Sequence, residues 1–418
     1  MRHHILLLIV FLTVLHAGQA FWPFSRRKST TPSPLNKDGK RLSPVIFVPG
    51  DGGSQVDARL NKSSSPNVWC VKTSDWFNLW LNLELIVLPA VYCWVDNVKL
   101  YYDNVTRTTH NTPGVDIRIP GWGSSEVVEW IDPTHNKAGA YFRTIAAMLV
   151  DQGYTRNKNI RGAPYDFRKA PNEHKQFFID LKKLVQDTYE ENSKTPVTFI
   201  THSMGSPMTL VFLQQQTEEW KTKYVERQIS LAGAWAGSIK ALKVFAMGDD
   251  LDSFFLSGKI LKDEQITNPS TAWLLPSPLF WKSNDILVKT PSRVYTMAQL
   301  EQYFDDIDYR TGWEMRKDTL HYTLNFSPPG VELHCLYGEG LDTVERLEYK
   351  KDDIAGETPK LIMGNGDGTV NRRSLRACHH WYGYQSANIS TLALSKVDHM
   401  AILESPTVLE YIKKVMKL

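Results

Sequence analysis

The stretch Val197 to Leu210, VTFITHSMGSPMTL, restricts the fold of this chain more than any other feature. Val197 to Thr201 is an apolar, β-branched run of the kind that fills a strand buried on both faces. The run breaks at Ser203 and resumes as an apolar helix. Gly205 and Ser206 supply small side chains at the crossing, and Pro207 suits a first helical turn, where an N–H has no partner to lose. A serine at such a corner is lifted out of the sheet in a strained turn, with the following amide aimed at a substrate oxygen. The pattern is T-H-S-M-G, so Thr201 stands where the usual G-x-S-x-G has its first glycine. A buried serine that only caps a helix is the competing reading, and partners elsewhere in the chain decide between the two.

The chain has 418 residues, room for one large domain with insertions or two ordinary ones, and its 42% hydrophobic content supplies a sizeable core. Val45 to Val48, between Pro44 and Pro49-Gly50, predicts a first buried strand. Tyr141 to Gln152 and Asn172 to Ser193 show helical periodicity. Further strands are expected at Val331 to Tyr337, Lys360 to Met363 and Ile389 to Leu394, with a closing helix from about Pro406. Strands alternating with helices predict an α/β fold with a parallel sheet. The rhythm breaks over 241–329, which reads as an insertion.

A serine hydroxyl is a poor nucleophile until a histidine takes its proton and a carboxylate orients that histidine. In α/β-hydrolases the three follow in the order Ser, acid, His. LIMGNGDGTVN offers Asp367 in a glycine-rich turn after a predicted strand, and ALSKVDHMAIL offers His399 before the closing helix. Ser203, Asp367 and His399 are therefore the expected catalytic set. Asp398, Asp342, His379 and His380 compete, although Asp398 adjoins His399 and its side chain is expected to point elsewhere. The glycine-rich FVPGDGGSQ after the first strand predicts a second oxyanion donor, so the amides of Asp51 and Met204 are assigned that role. No GK[ST] follows this loop, no CxxC or HxxxH spacing marks a metal site, and no cofactor is expected.

The N-terminus reads MRHHILLLIVFLTVLHAGQA: a basic start, an apolar stretch from Ile5 to Leu15, and small residues Gly18 and Ala20. That predicts a secretory signal peptide over 1–20, since the apolar run is well short of the roughly 20 residues that span a bilayer. A Pro-, Ser- and Thr-rich flexible leader is expected over 21–43. Four sequons, at Asn61, Asn104, Asn325 and Asn388, are candidate glycan acceptors in that compartment. Four cysteines permit two disulfides by three connectivities; pairing of sequence neighbours, Cys70 with Cys93 and Cys335 with Cys378, is preferred. A net charge of +3 with no Lys/Arg stripe argues against a nucleic-acid partner. Protonation of the 12 histidines in acid would favour anionic membranes instead.

The segment between Cys70 and Cys93 is Trp-rich and apolar, and a tether at both ends would hold it towards a bilayer. Trp76, Phe77, Leu79, Trp80 and Leu83 are the expected membrane-facing residues, within a membrane-binding subdomain over 62–103. An ordinary core helix is the alternative.

Long blocks of the chain, among them VPGDGGSQVDARL, CWVDNVKLYYD, RGAPYDFRKAPNE, THSMGSPMTLVFL, PPGVELHCLYGEG and GDGTVN, resemble the lecithin:cholesterol acyltransferase family, in particular its lysosomal phospholipase A2 branch. The likeness runs from about Pro44 to the C-terminus. It implies an α/β-hydrolase domain over 44–418 with a membrane-binding subdomain and a cap, and the same two disulfides. It also implies calcium-independent deacylation of glycerophospholipids, with the acyl group passed to water or to a lipid alcohol such as ceramide. A peripheral membrane surface and that alcohol would be the partners of a monomer in the lysosome lumen or outside the cell. One departure is AGAWAGS, Ala232 to Ser238, where Ala234 replaces the family's proline.

Overall fold

The computed structural model describes Leu35, Gly39, 41–251 and 257–418. The expected signal peptide and most of the expected leader lie outside the described residues.

Six strands form one parallel sheet: β1 (Val45–Val48), β2 (Ile160–Gly162), β3 (Val197–His202), β4 (Val225–Leu231), β5 (Glu332–Glu339) and β6 (Ile389–Ser395). Their spatial order is β6-β5-β4-β3-β1-β2, every neighbouring pair being parallel. The α/β expectation is met, and β1 shows why it had to be. All four of its residues are buried, and strand periodicity sends them to opposite faces. Val45 and Phe47 join a cluster with Phe142, Ile145, Leu149 and Ile412. Ile46 and Val48 join one with Phe178, Leu181, Phe199 and Phe212. Helices Arg143–Asp151 and Pro406–Met416 thus contribute to one face, and Lys175–Glu191 and Gly205–Gln214 to the other. β3, the central strand, is buried at all six positions.

Lys360–Gly366 is a strand, as expected, but it belongs to another sheet. It pairs antiparallel with Leu341–Glu348, which pairs in parallel with Ile286–Lys289 from the segment expected as an insertion. The physical reason is its polarity: the strand is only partly buried along its length, whereas a place inside the parallel sheet requires both faces covered.

The segment expected at the membrane folds differently from the apolar reading. Thr73–Trp80 is a strand, paired antiparallel with Val56–Asn61, which in turn pairs with Val115–Arg118. Val91–Val98 is a helix, and Cys70 is bonded to Cys93 across the segment. Strand alternation turns Leu79 inward, where it is fully buried with Ala58, Leu60, Trp94 and Val98. Phe77, Trp80 and Leu83 pack against the same cluster, and Trp76 lies between the guanidinium groups of Arg59 and Arg118. The exposed apolar residues are instead Val68, Trp69, Val71, Val87, Leu88 and Tyr92. Leu79 and Trp80 are therefore corrected from membrane-facing to structural residues.

The second expected disulfide is also corrected: Cys335 and Cys378 are buried free thiols. Burial raises the Cys335 thiol well above its ordinary pKa, and the hydrogen bond with Cys378 adds to the shift. Disulfide formation proceeds through a thiolate, the form this environment disfavours. The four sequon asparagines, by contrast, are all exposed.

Leu79→Ala is expected to lower the unfolding free energy by about 2–5 kcal/mol, while Trp69→Ala changes it by less than about 0.5 kcal/mol. Urea titration followed by tryptophan fluorescence separates the two.

Candidate active site

Ser203 follows β3 directly, with φ at +51°, and the helix begins two residues later at Gly205. A left-handed backbone at a residue bearing a Cβ is strained and persists only where packing enforces it. The enforcement is visible on both sides. A Cβ on Gly205 would stand 2.4 Å from the carbonyl oxygens of Val48 and Pro49, and one on Gly50 would stand 2.7 Å from the Cβ of Ser203. From Val197 to Leu213, Ser203 alone retains solvent exposure.

His399 Nε2 lies 2.9 Å from Ser203 Oγ, and its Nδ1 lies 2.7 Å from Asp367 Oδ2. With the hydroxyl donating to Nε2 and Nδ1–H donating to the carboxylate, the neutral imidazole is oriented as a general base. Asp367 has no solvent exposure. Its second oxygen accepts the amides of Thr369 at 3.1 Å and Val370 at 2.7 Å, so the buried carboxylate is fully partnered. The amide of His399 donates to the carbonyl of Asp367 at 3.0 Å, which ties the two loops together. Three residues separated by up to 196 positions thus meet at one hydroxyl.

The competing residues are elsewhere. Asp398 accepts the amides of Met400 and Ala401, turned away from the imidazole. His379 lies against the rings of Tyr337 and Tyr382, and His380 stacks on Tyr384.

The loop after β1 lies against Ser203 at Gly50. Among the described residues, the amides of Asp51 and Met204 donate to no other protein group. Two anchors of this loop were not legible in the sequence. Tyr165 donates its hydroxyl to the carbonyl of Pro49 at 2.8 Å, and the Trp80 indole N–H donates to the carbonyl of Gly52 at 2.7 Å. Nothing local to either residue signals the role, because each partner is a backbone oxygen distant in sequence. The amide of Ala234 lies 3.3 Å from the carbonyl of Ser203, a contact that a proline at this position could not make.

Two carboxyl groups here have raised pKa values. Asp51 is exposed. Desolvation pushes its pKa up to about 6; the Gly52 amide opposes the shift, the charge of Asp249 adds to it and that of Lys240 reduces it. Glu264 is buried and pushed up to about 7 by desolvation, opposed by the hydrogen bond from Asn268 and increased by the charge of Asp51.

The family model for lecithin:cholesterol acyltransferase matches residues 76–406. The chain belongs to this family. Among its relatives, the bovine (Bos taurus) lysosomal phospholipase A and acyltransferase is 41% identical over 374 residues, covering 89% of this chain and 91% of that protein. The chicken (Gallus gallus) phosphatidylcholine-sterol acyltransferase is 35% identical over 400 residues, covering 96% of each. Among solved structures, a chain from the crystal structure of the Tle4-Tli4 complex aligns with a TM-score of 0.50 at 14% identity, covering 90% of this chain and 99% of that one. That likeness concerns the fold of this family member alone.

Two predictions follow from the geometry and the charges. Gly50→Ala is expected to slow labelling of Ser203 by a fluorophosphonate about 100-fold or more, with circular dichroism unchanged. Glu264 has a folded pKa above its unfolded value, so the stability it contributes is present below pH 4.5 and lost as pH rises through about 7. Glu264→Gln should therefore shrink the excess of the melting temperature at pH 5 over that at pH 7.5, measured by calorimetry.

Proposed function

We propose that this chain is a calcium-independent serine phospholipase and transacylase that removes an acyl chain from glycerophospholipids and passes it to water or to a lipid alcohol such as ceramide. The observation that carries the reading is the pair of hydrogen bonds joining Asp367, His399 and Ser203 at a strained strand-to-helix corner.

Ser203 Oγ attacks the ester carbonyl while its proton passes to His399 Nε2, and Asp367 stabilises the resulting imidazolium. The amides of Asp51 and Met204 hold the oxyanion. The lyso-phospholipid alkoxide leaves with the proton from His399, and Ser203 remains acylated. Water or a lipid alcohol then gives its proton to His399 and attacks the acyl-enzyme; as the ester bond to Ser203 breaks, His399 returns that proton to Ser203 Oγ. The activation of the nucleophile asks nothing of a divalent ion, so a chelator is expected to leave the rate unchanged.

Access to a lipid surface is supplied by apolar side chains on the two stretches that the Cys70–Cys93 bond brings together. Val68, Trp69 and Val71 flank one cysteine, and Val87, Leu88 and Tyr92 precede the other, all exposed. Among the described residues no helix is long and apolar enough to cross a membrane. In this reading the exposed side chains contact the bilayer peripherally, in a lysosomal lumen or outside the cell.

Acid operation sets a difficulty for a histidine base, whose ordinary pKa lies near 6.5. Asp51 offsets it in part. Below about pH 6 its carboxyl is neutral, and above that it is a carboxylate beside the developing oxyanion, which it repels.

Vesicles of phosphatidylcholine containing ceramide, incubated at pH 4.5 and 7.5, test the reading. Free fatty acid and acylated ceramide are expected from the wild type and neither from Ser203→Ala; preferential cleavage of triacylglycerol emulsions would replace this reading with that of a neutral-lipid esterase. Asp51→Asn should raise the ratio of activity at pH 7.5 to that at pH 4.5, and an unchanged ratio removes Asp51 from the pH dependence. Trp69→Ser with Leu88→Ser should weaken sedimentation with vesicles while leaving fluorophosphonate labelling intact.

A further inference from the structure

The residue immediately before the nucleophile is a buried histidine that the reaction sequence above leaves unused. His202 is 1% exposed. Its Nδ1 lies 2.5 Å from the hydroxyl of Tyr141, and its Nε2 lies 2.9 Å from the backbone carbonyl oxygen of His399. The Tyr141 hydroxyl is in turn 3.0 Å from the backbone amide of Gly50. His202 also lies ring to ring against both neighbours, with centroids 5.3 Å from Tyr141 and 4.8 Å from His399.

The ends of this chain fix its proton arrangement. A carbonyl oxygen can only accept, so the proton of the imidazole must be on Nε2. Nδ1 is then an acceptor, which leaves the Tyr141 hydroxyl to donate to it and to receive the Gly50 N–H on its oxygen. One neutral tautomer satisfies every donor and acceptor. A second proton on Nδ1 would meet the proton that the Tyr141 hydroxyl donates there, and burial together with the neighbouring His399 holds the His202 pKa well below its ordinary value.

What the chain connects matters more than its saturation. At one end is the peptide of the general base His399. At the other is Gly50, next to Asp51, whose amide is assigned to the oxyanion. Between them is the residue adjoining Ser203. We propose that His202 is a positioning residue that locks the oxyanion loop and the loop of the general base into one register around Ser203, through Tyr141. The proposal rests on the reading of Ser203 as a catalytic nucleophile, and it requires no particular lipid.

The test compares the wild type with His202→Ala, His202→Gln, Tyr141→Phe and the double variant His202→Ala/Tyr141→Phe. The readouts are the rate of fluorophosphonate labelling, kcat and KM on phosphatidylcholine vesicles, and the melting temperature. His202→Ala and Tyr141→Phe are each expected to slow labelling and kcat by about 10- to 100-fold, with KM unchanged. The double variant should be no slower than the slower single variant, because both break one chain. Gln can donate to the His399 carbonyl and accept from Tyr141, so His202→Gln should recover most of the rate. Losses that multiply in the double variant, a Gln variant no faster than Ala, or a rise in KM at unchanged kcat would each overturn the proposal. Should His202→Ala fail to fold, Tyr141→Phe and His202→Gln still decide: full activity in Tyr141→Phe, or loss in His202→Gln equal to that of Ser203→Ala, overturns it. A wild type that labels without turning over phospholipid sinks the substrate reading and leaves the labelling arms intact. A wild type that does not label sinks the nucleophile and this proposal together.

Discussion

At Ser203 the backbone turns through a conformation that an L-residue with a side chain avoids, and the turn persists because the loop after β1 and the helix from Gly205 crowd it from both sides. Glycine at positions 50 and 205 makes that crowding possible; a single methyl group at either would meet a neighbouring atom at well under van der Waals distance. The same closeness sets the loop after β1 against Ser203, so the strain at the serine and the nearness of that loop are consequences of one backbone approach.

Around that approach, the polar groups are held by partners both local and distant in sequence. Asp367 is satisfied by two amides of its own turn and by His399. Pro49 and Gly52 are pinned by Tyr165 and Trp80, and Gly50 by Tyr141. Each bond is of ordinary strength and contributes about 1 kcal/mol. Their effect lies in leaving the loop few alternative positions, which is what preorganisation of an oxyanion site requires. Trp80 ends the strand Thr73–Trp80 between Cys70 and Cys93, so that segment and the loop after β1 share a side chain.

Much of the site was legible because its parts carry local signals. The serine corner combines a buried strand, small residues and a helix within fourteen positions of sequence. Asp367 lies in a glycine-rich turn, and His399 falls between a strand and a helix in the required order. The membrane-facing residues were less legible. Apolarity of the Trp76–Leu83 run does not distinguish a side chain aimed at lipid from one aimed at a core. The strand pairing with Val56–Asn61, invisible in the run itself, turned Leu79 inward and left Val68, Trp69 and Leu88 outside. Neighbour spacing likewise suggested a bond between Cys335 and Cys378, whereas both are buried free thiols.

The sequence by itself determined the alternation that makes a parallel sheet, the corner that raises Ser203, and the chain order in which Asp367 and His399 follow it, because each rests on the periodicity and chemistry of neighbouring residues. Only the tertiary structure decided which strands share the central sheet, which aromatic groups anchor the oxyanion loop, and that His202 faces Tyr141 and the His399 carbonyl. Those outcomes depend on contacts between residues from 28 to 197 positions apart. No local pattern encodes such pairs; they are set when burial of the two sheet faces brings the loops together.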